Sequence, residues 1–282
     1  MTKPILKKSP LVMALLDLRF TSLPKPTLDQ GMELFRSKLF QNGFSVPHEA
    51  EVSQIEVAPK SDSEFAVQQH ITKRWDYLNI SRNQGVTLTN ESLTLRSTVY
   101  NNFEEFKATW EVVITAFFEA FDGIEQAGMR RMGLRHMDAF IANDGHLLNE
   151  YINEDWLTPL QKNSDMNSFF FNRRIQNTDF GVLRVEIEER APENGRLNIL
   201  PRDISDPDPV SLKIEHKPHW QTPSQSKFAI VDIDHAWTAN ELQPLTKDNI
   251  NSRLCGLYEE NTQVFWSLLS EKAEQEWEKS FQ

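Results

Sequence analysis

Two segments of the chain alternate apolar and polar residues with a period of two, which is typical of a strand that buries one face. The apolar face of the first segment, residues 11–20, consists of Val12, Ala14, Leu16, Leu18 and Phe20. In the second segment, Met129–Ile141, one face carries Met132, Leu134, His136, Asp138 and Phe140, and the other carries Arg131, Gly133, Arg135 and Met137. We expect each strand to pack one face on a core and to present the other to water or to a partner.

Apolar residues recur at helical spacing in two places between these strands. The first predicted helix begins after Thr27, a residue type that caps helices, and ends at Gly43. The second begins after Asn102, which has Glu105 three residues further on and thus resembles a capping box. Its apolar stripe is broad and aromatic and extends to Phe121, so we expect this helix to be well buried.

The remaining segments predict the same order of elements twice. The predicted strands are Val52–Ala58, Phe65–Ile71, Trp75–Ser81 and a meander from Val86 to Val99 in the first half, and Phe169–Ile175, Val182–Glu189, Val210–His216 and Phe228–Trp237 in the second. The predicted helices of the second half are about His146–Leu157 and a long closing helix from Thr246. The closing helices of the two halves share a spacing, since Trp110 precedes Phe117 as Tyr258 precedes Phe265.

The sequence therefore predicts an α+β protein made of two tandem β-α-β4-α halves, residues 1–128 and 129–282, which suggests an internal duplication. Antiparallel strands of both halves would form one extended sheet with the helices on a single face. With 282 residues, 39% hydrophobic residues, 18 Phe and 7 Trp, the chain has enough apolar surface for such a core.

Composition narrows the functional classes. Ten glycines are few for this length, and neither G-x-G-x-x-G nor G-x-x-x-x-G-K occurs, so a glycine-rich phosphate loop is not expected. The apolar runs are too short to span a bilayer, and Asp17 and Arg19 interrupt the N-terminal one, which therefore does not resemble a signal peptide. The single cysteine, Cys255, fits a reducing compartment. We expect a cytoplasmic protein with no membrane partner and no cofactor.

The net charge of −11 is distributed unevenly along the chain. Residues 1–141 hold 16 Lys+Arg and 17 Asp+Glu, whereas residues 142–282 hold 14 and 24. Nucleic-acid backbones are bound chiefly by clustered lysine and arginine. The acidic second half therefore argues against nucleic acid as a partner.

Two motifs have residue types that can hold a metal ion. Asp208, Glu215 and Lys217 resemble the P-D…E-x-K signature of nucleases, in which two carboxylates bind Mg²⁺ and a lysine helps to activate water. Only six residues separate Asp208 from Glu215 and no basic cluster surrounds them, which favours a proline-rich turn followed by a solvent-facing edge strand. Asp232 and Asp234 form a D-x-D pair on one strand face, but a charged face paired to arginine is the favoured interpretation.

Four runs of residues resemble a known family in their order and spacing. They are SPLVMALLDLRF at the start, TVYNNFEEF before the aromatic helix, RRMGLRH in the centre and LYEENTQVFW in the closing helix. Together they resemble a sporadically distributed bacterial protein family, over nearly the whole chain. This chain continues the central run as HMDAF, where the family pattern has a segment with tyrosine and asparagine. The resemblance implies a prokaryotic cytosolic protein, but it does not point to any particular activity.

Charges of both signs collect on the sheet face that is predicted to point away from the helices. The candidate binding residues there are Asp17, Arg19, Arg131, Arg135, Arg184, Glu186, Asp232 and Asp234. They fit a protein interface, where mixed charge sets register and association rate. They also fit an internal network of arginine–carboxylate pairs between neighbouring strands. Both interpretations stay open from the sequence.

The sequence predicts a non-catalytic binding or regulatory protein that contacts another macromolecule, in a setting such as bacterial defence or toxin neutralisation. The expected partner is another protein, with self-association as an option, and no metal is expected. Cys255 has no neighbouring base to activate it and no G-x-S-x-G motif occurs, which argues against nucleophilic catalysis. The alternative is a metal-dependent hydrolase or nuclease that uses either of the two carboxylate motifs described above.

Overall fold

The computed structural model describes residues 4–61, 64–143, 145–157, 169–193, 196–201, 203–204, 210–220 and 227–281. Its central feature is a nine-stranded antiparallel sheet to which both halves of the chain contribute. The α+β class and the extended antiparallel sheet are therefore confirmed.

In the first half, the elements are β1 Pro4–Leu6, β2 Leu11–Phe20, α1 Lys25–Gln41, β3 Val46–Ser61, β4 Glu64–Leu78, β5 Gln84–Leu88, β6 Ser92–Ser97 and α2 Phe103–Ala120. Asn102 caps α2 as predicted, since its side-chain oxygen accepts a hydrogen bond of 2.9 Å from the Glu105 backbone N–H. The prediction that Thr27 caps α1 was wrong. That helix begins directly after Pro24, and no side chain caps it.

In the second half, the elements are β7 Gly128–Ile141, β8 Phe171–Thr178, β9 Gly181–Arg190, β10 Phe228–Pro244, α3 Lys247–Leu268, α4 Glu271–Glu276 and β11 Lys279–Phe281. One short 3-10 turn, Ile124–Gln126, precedes β7 at the end of the first half, and two more follow it at Leu148–Glu150 and Glu154–Trp156. The predicted start of the closing helix is confirmed, because the Thr246 side chain accepts a hydrogen bond from the Asn249 backbone N–H. Within the described residues, no helix is long and apolar enough to cross a membrane.

The strand order in the large sheet is β3-β4-β5-β6-β2-β7-β10-β9-β8, and β1 pairs with β11 in a separate two-stranded sheet. The two strands that head the halves, β2 and β7, therefore pair at the centre, with Leu16 opposite Leu134. β4 is one continuous strand where two were predicted, because it pairs with β3 along its whole length.

The helices α1, α2 and α3 pack against the same face of this sheet. Phe35 of α1, Trp110 of α2 and Leu254 of α3 are completely buried in one cluster with Leu16 and Leu134. The broad aromatic stripe of α2 thus forms the centre of the core, as its sequence predicts. The prediction that Val12 shares a face with Ala14 and Leu16 was wrong. A bulge in β2 between Leu11 and Met13 moves Val12 to the opposite face of the sheet.

Two predicted elements of the second half were wrong. The segment predicted as a helix at 146–157 forms two 3-10 turns, because Asn153 caps a new turn and its backbone N–H donates to the Leu268 carbonyl. The segment predicted as a strand at 210–216 is not a strand, because it crosses the sheet face and its Lys213 N–H donates to the Arg82 carbonyl. Among the described residues, the order β-α-β4-α is therefore present in the first half and not in the second. An internal duplication stays a prediction.

The described residues of 196–220, named here the covering segment, lie on the sheet face opposite the helices. Ile199 and Trp220 of this segment are buried against Met137 of β7 and Ile230 of β10. Lys217 anchors its end, because its Nζ donates to the Ser9 carbonyl at 2.9 Å and also to the Leu11 carbonyl. The face that the sequence leaves to solvent or to a partner is thus partly closed by the chain itself.

Candidate functional site

The structure brings the eight predicted charged residues together on the sheet face opposite the helices. Asp17 on β2 connects two arginines: Arg19 Nε donates to its Oδ2 at 2.9 Å, and Arg131 Nη1 donates to the same oxygen at 2.7 Å. Thr94 on β6 donates to the other oxygen at 3.1 Å. One aspartate thereby joins β6, β2 and β7.

The ion pairs continue across β10, β9 and β8. Arg184 Nη2 donates to Asp234 Oδ2 at 3.0 Å, and Arg131 Nη2 lies 3.9 Å from Asp234 Oδ1. Arg173 Nε donates to Glu186 Oε1 at 2.7 Å, and Arg184 Nε lies 3.5 Å from that oxygen. The structure therefore contains a network of arginine–carboxylate pairs, since each of these arginines has a carboxylate partner on its own or a neighbouring strand.

Arg135 holds the most buried part of this network. Its guanidinium donates two hydrogen bonds to Asp232, at 2.7 and 2.6 Å, and two to Asp203 of the covering segment, at 2.8 and 3.0 Å. Burial works against the charge on Arg135, but these hydrogen bonds hold its pKa above the usual value. Burial also raises the pKa of Asp232, against the opposing effect of Arg135. Arg135 and Asp232 are therefore internal residues that a partner cannot reach in this structure.

A second buried cluster on the same face was missed by the sequence analysis. Asp76 on β4 is fully buried, accepts from Arg74 Nε at 2.8 Å and from Thr87 Oγ1 at 2.6 Å, and lies 3.4 Å from Arg96 Nη2. Burial lowers the pKa of Arg96 to about 10. One sequence signal could have pointed to this cluster. Asp76 lies between Trp75 and Tyr77 in a strand, so its side chain points to the face opposite these two aromatic residues.

The part of the charged face that remains accessible lies outside the covering segment. We name it the outer charged patch; it consists of Asp17, Arg19, Arg131, Arg173, Arg184, Glu186 and Asp234. The side chains of Arg19 and Arg173 are 59% and 50% exposed, compared with 11% for Arg135. Exposed apolar side chains adjoin the patch on β8 and β9, namely Phe171, Ile175 and Val182.

The structure describes only part of the carboxylate motifs considered for metal binding. Asp208 lies outside the described residues, Glu215 is exposed, and Lys217 is occupied by the backbone carbonyls near β2. Asp232 and Asp234 do share a strand face, but each accepts hydrogen bonds from an arginine. In the part of the chain that the structure describes, no group of three His, Cys, Asp or Glu residues is placed to hold a metal ion.

A cavity of about 450 Å³ lies on the helix side of the sheet, between the start of α2 and the middle of α3. Its walls are aromatic: Tyr100, Phe103, Tyr258, Phe265 and Trp266. Polar side chains line it as well, and three of them are buried: His136 and Asp138 from β7 and Asn261 from α3. His136 is 9% exposed, and Asp138 and Asn261 are each 1% exposed.

The hydrogen bonds around Asn261 determine which ring nitrogen of His136 carries the proton. Asn261 Nδ2 donates to the Leu134 carbonyl at 3.1 Å and lies 3.3 Å from His136 Nδ1. Burial lowers the pKa of His136 to about 4, so the ring is neutral near pH 7. With Nδ1 facing an amide N–H, the assigned tautomer carries its proton on Nε2. This Nε2–H has no hydrogen-bond partner among the described residues.

Asp138 is the most unusual polar group of the cavity. Its Oδ2 has no hydrogen-bond partner within the described part of the chain. Burial raises its pKa to about 7, with a lowering effect from Lys217 and a raising effect from Asp232. The sequence marks His136 and Asp138 as polar positions on an apolar strand face. It gives no comparable signal for Asn261 or for the aromatic walls, whose helical spacing is that of ordinary core residues.

The chain matches no family model, no curated protein and no solved structure. The resemblance of its four sequence runs to the sporadically distributed bacterial family therefore stays a prediction.

Proposed function

We propose that the protein is a non-catalytic binding protein that contacts another protein through the outer charged patch and the edge of β8. The observation that carries this proposal is the exposure of apolar residues there: Phe171 is 55%, Ile175 63% and Val182 45% exposed. Ile175 is directly opposite Arg184 in the β8–β9 pairing. Apolar side chains next to charged ones are the composition of a protein interface with a polar rim.

The outer edge of β8 supports the same proposal. β8 is the last strand of the sheet and pairs with β9 on one side, and the described residues place no strand on its other side. An unpaired edge offers a row of backbone donors and acceptors to an extended segment of a partner. The side chains at Phe171, Arg173 and Ile175 would then set specificity, because they share the face that carries the patch.

The charge pattern favours protein over nucleic acid as the partner. The patch contains four arginines and three carboxylates, and its arginines are within ion-pair distance of those carboxylates. A phosphate backbone would be repelled by the carboxylates, whereas a protein with its own mixed charges can pair with both signs. The metal-dependent alternative has no comparable support, because arginines already occupy Asp232 and Asp234.

Site-specific photo-crosslinking tests this proposal. The photoreactive amino acid p-benzoylphenylalanine is placed at position 175 and, in a matched control, at position 80, where Ile80 is 81% exposed in the turn after β4. We expect position 175 to crosslink one defined protein in cells and position 80 not to do so. Self-association would be recognised as a crosslinked dimer of this chain.

The substitution Ile175→Asp provides a second measurement with purified components. It should abolish capture of the crosslinked protein, whereas Ile80→Asp should leave capture unchanged, because only the first replaces an apolar side chain of the proposed interface by a charged one. Equal crosslinking at both positions, or unchanged capture by Ile175→Asp, would contradict the proposal. The identity of the partner would also test the predicted setting of bacterial defence or toxin neutralisation.

A further inference from the structure

The cavity on the helix side differs chemically from the outer charged patch and lies on the opposite face of the sheet. Two carboxylates, Asp138 and Glu104, are among the residues that line it, and those residues include no lysine or arginine. Glu104 is exposed at the start of α2, whereas Asp138 is buried at the sheet. The lining therefore favours a positively charged occupant.

Three side chains that line this cavity each have a buried polar atom with no hydrogen-bond partner among the described residues: His136 Nε2, Asp138 Oδ2 and Asn261 Oδ1. Two of them are acceptors, and the third is an N–H donor in the tautomer assigned above. A buried polar group without a partner destabilises a protein by about 1–3 kcal/mol. Three such atoms on side chains that line one cavity are what a site needs if a bound molecule is to complete their hydrogen bonds.

We propose that this cavity binds a small organic cation that carries N–H donors, such as an amidinium, a guanidinium or a primary ammonium group, with the cationic group on Asp138. Asp138 Oδ2 and Asn261 Oδ1 accept its N–H groups, and His136 Nε2–H donates to an acceptor elsewhere on the ligand. The aromatic walls add to the attraction, because ring faces of tyrosine, phenylalanine and tryptophan stabilise a nearby cation.

The other buried or half-buried aspartates of the sheet support this assignment. Each of them has an arginine within 4 Å; they are Asp17, Asp76, Asp232 and Asp234. Asp138 has no such partner in the described part of the chain. Lys217 does not fill this role, since its Nζ donates to the carbonyls of Ser9 and Leu11.

The charge on Asp138 determines when a cation can bind. Its pKa of about 7 makes its ionised fraction about tenfold larger at pH 8 than at pH 6. The other titratable groups around the cavity are His136, Tyr100, Glu104 and Tyr258, with Lys217 and Asp232 behind its walls. Burial lowers the pKa of His136 to about 4 and raises that of Tyr100 above its usual value, so both stay uncharged over this range.

Benzamidine and benzamide form a matched pair of probes. They have nearly the same shape and both carry N–H donors, but only benzamidine is a cation. By isothermal titration calorimetry at about pH 8, we expect benzamidine to bind at least about tenfold more tightly than benzamide. Its affinity should fall about tenfold at about pH 6, as the ionised fraction of Asp138 falls. These measurements use the wild-type chain and do not depend on whether a variant folds.

The substitution Asp138→Asn should abolish the preference for benzamidine, because it replaces the carboxylate by a neutral amide of the same shape. The matched control is Asp122→Asn, an exposed carboxylate after the far end of α2. It should leave both affinities unchanged. Equal binding of the two probes, unchanged benzamidine affinity in Asp138→Asn, or no benzamidine binding up to about 10 mM would each overturn the proposal. None of these outcomes bears on the protein contact proposed for the opposite face.

Discussion

Asp232 and Asp138 occupy neighbouring positions in the sheet, but their side chains lie on opposite faces. Asp232 is paired in register with Met137, and Asp138 is paired with Val231. Both are buried, with exposed fractions of 3% and 1%. Asp232 accepts two hydrogen bonds from Arg135, whereas Asp138 Oδ2 has no partner among the described residues.

The difference separates a structural carboxylate from one that is available for binding. Removing a carboxylate from water is unfavourable unless a cation and hydrogen bonds replace the water. Arg135 supplies both to Asp232, and the covering segment closes over the pair through Asp203. On the helix side, Asp138 borders a cavity instead, so its unfavourable burial can be relieved by protonation or by a ligand. A ligand that binds only the folded protein would also stabilise it.

Removing the partner of Asp232 should have the largest effect. Arg135→Met leaves Asp232 buried without a cation, and breaking a buried pair in this way destabilises a protein by about 3–5 kcal/mol. Urea denaturation at about pH 7 would measure the change in the free energy of unfolding.

The double substitution Arg135→Met with Asp232→Leu is the matched control. It removes both charges and should recover most of the lost stability, because an apolar pair needs no hydrogen bonds. A loss below about 1 kcal/mol in the single variant would contradict the structural role assigned to Arg135.

Neutralising Asp138 should have a smaller effect of the opposite sign. The folded-state pKa of about 7 is above the ordinary value of 3.8, so the folded protein holds this proton more tightly than the unfolded chain does. Stability is therefore lost as pH rises from about 4 to about 7 and stays low above that. Asp138→Asn removes this loss, and its stability relative to wild type should rise by about 2–3 kcal/mol from pH 5 to pH 8.

Denaturation of both proteins at the two pH values provides the measurement, and Asp122→Asn provides a control that should show no such change. A stability difference that is the same at both pH values would mean that Asp138 titrates near its ordinary pKa in the folded protein. The unpaired, desolvated state described for this carboxylate would then be incorrect.

The sequence predicted the regular elements where a short-range signal decided them. The alternation in β2 and β7, the cap at Asn102 and the aromatic stripe of α2 all act within a few residues, and the structure has each of them. The predicted helix at 146–157 and the strand at 210–216 failed because distant contacts decide those segments. The first pairs with Leu268 and Leu269, and the second lies across the turn that contains Arg82.

The charged face and the cavity show the same difference between features set by short-range sequence signals and features set by distant contacts. Alternation along the strands was enough to place the charged residues on one face, since side chains of a strand alternate strictly. It did not reveal that the covering segment buries Arg135, because that contact joins residues 68 positions apart. The cavity was also hidden, although the four runs that carry the family resemblance all contribute to its lining, among them Leu11, Tyr100, His136 and Asn261.

The smallest effect is expected at the outer charged patch. Arg19 is 59% exposed, and its partner Asp17 keeps hydrogen bonds from Arg131 and Thr94 when Arg19 is removed. Arg19→Ala should therefore lower the free energy of unfolding by less than about 1 kcal/mol. Salt screens exposed pairs, so the loss should shrink further in about 1 M NaCl, whereas the loss in Arg135→Met should change little. A loss at Arg19 as large as that at Arg135 would mean that the patch is a structural extension of the buried network, and it would remove Arg19 from the proposed protein interface.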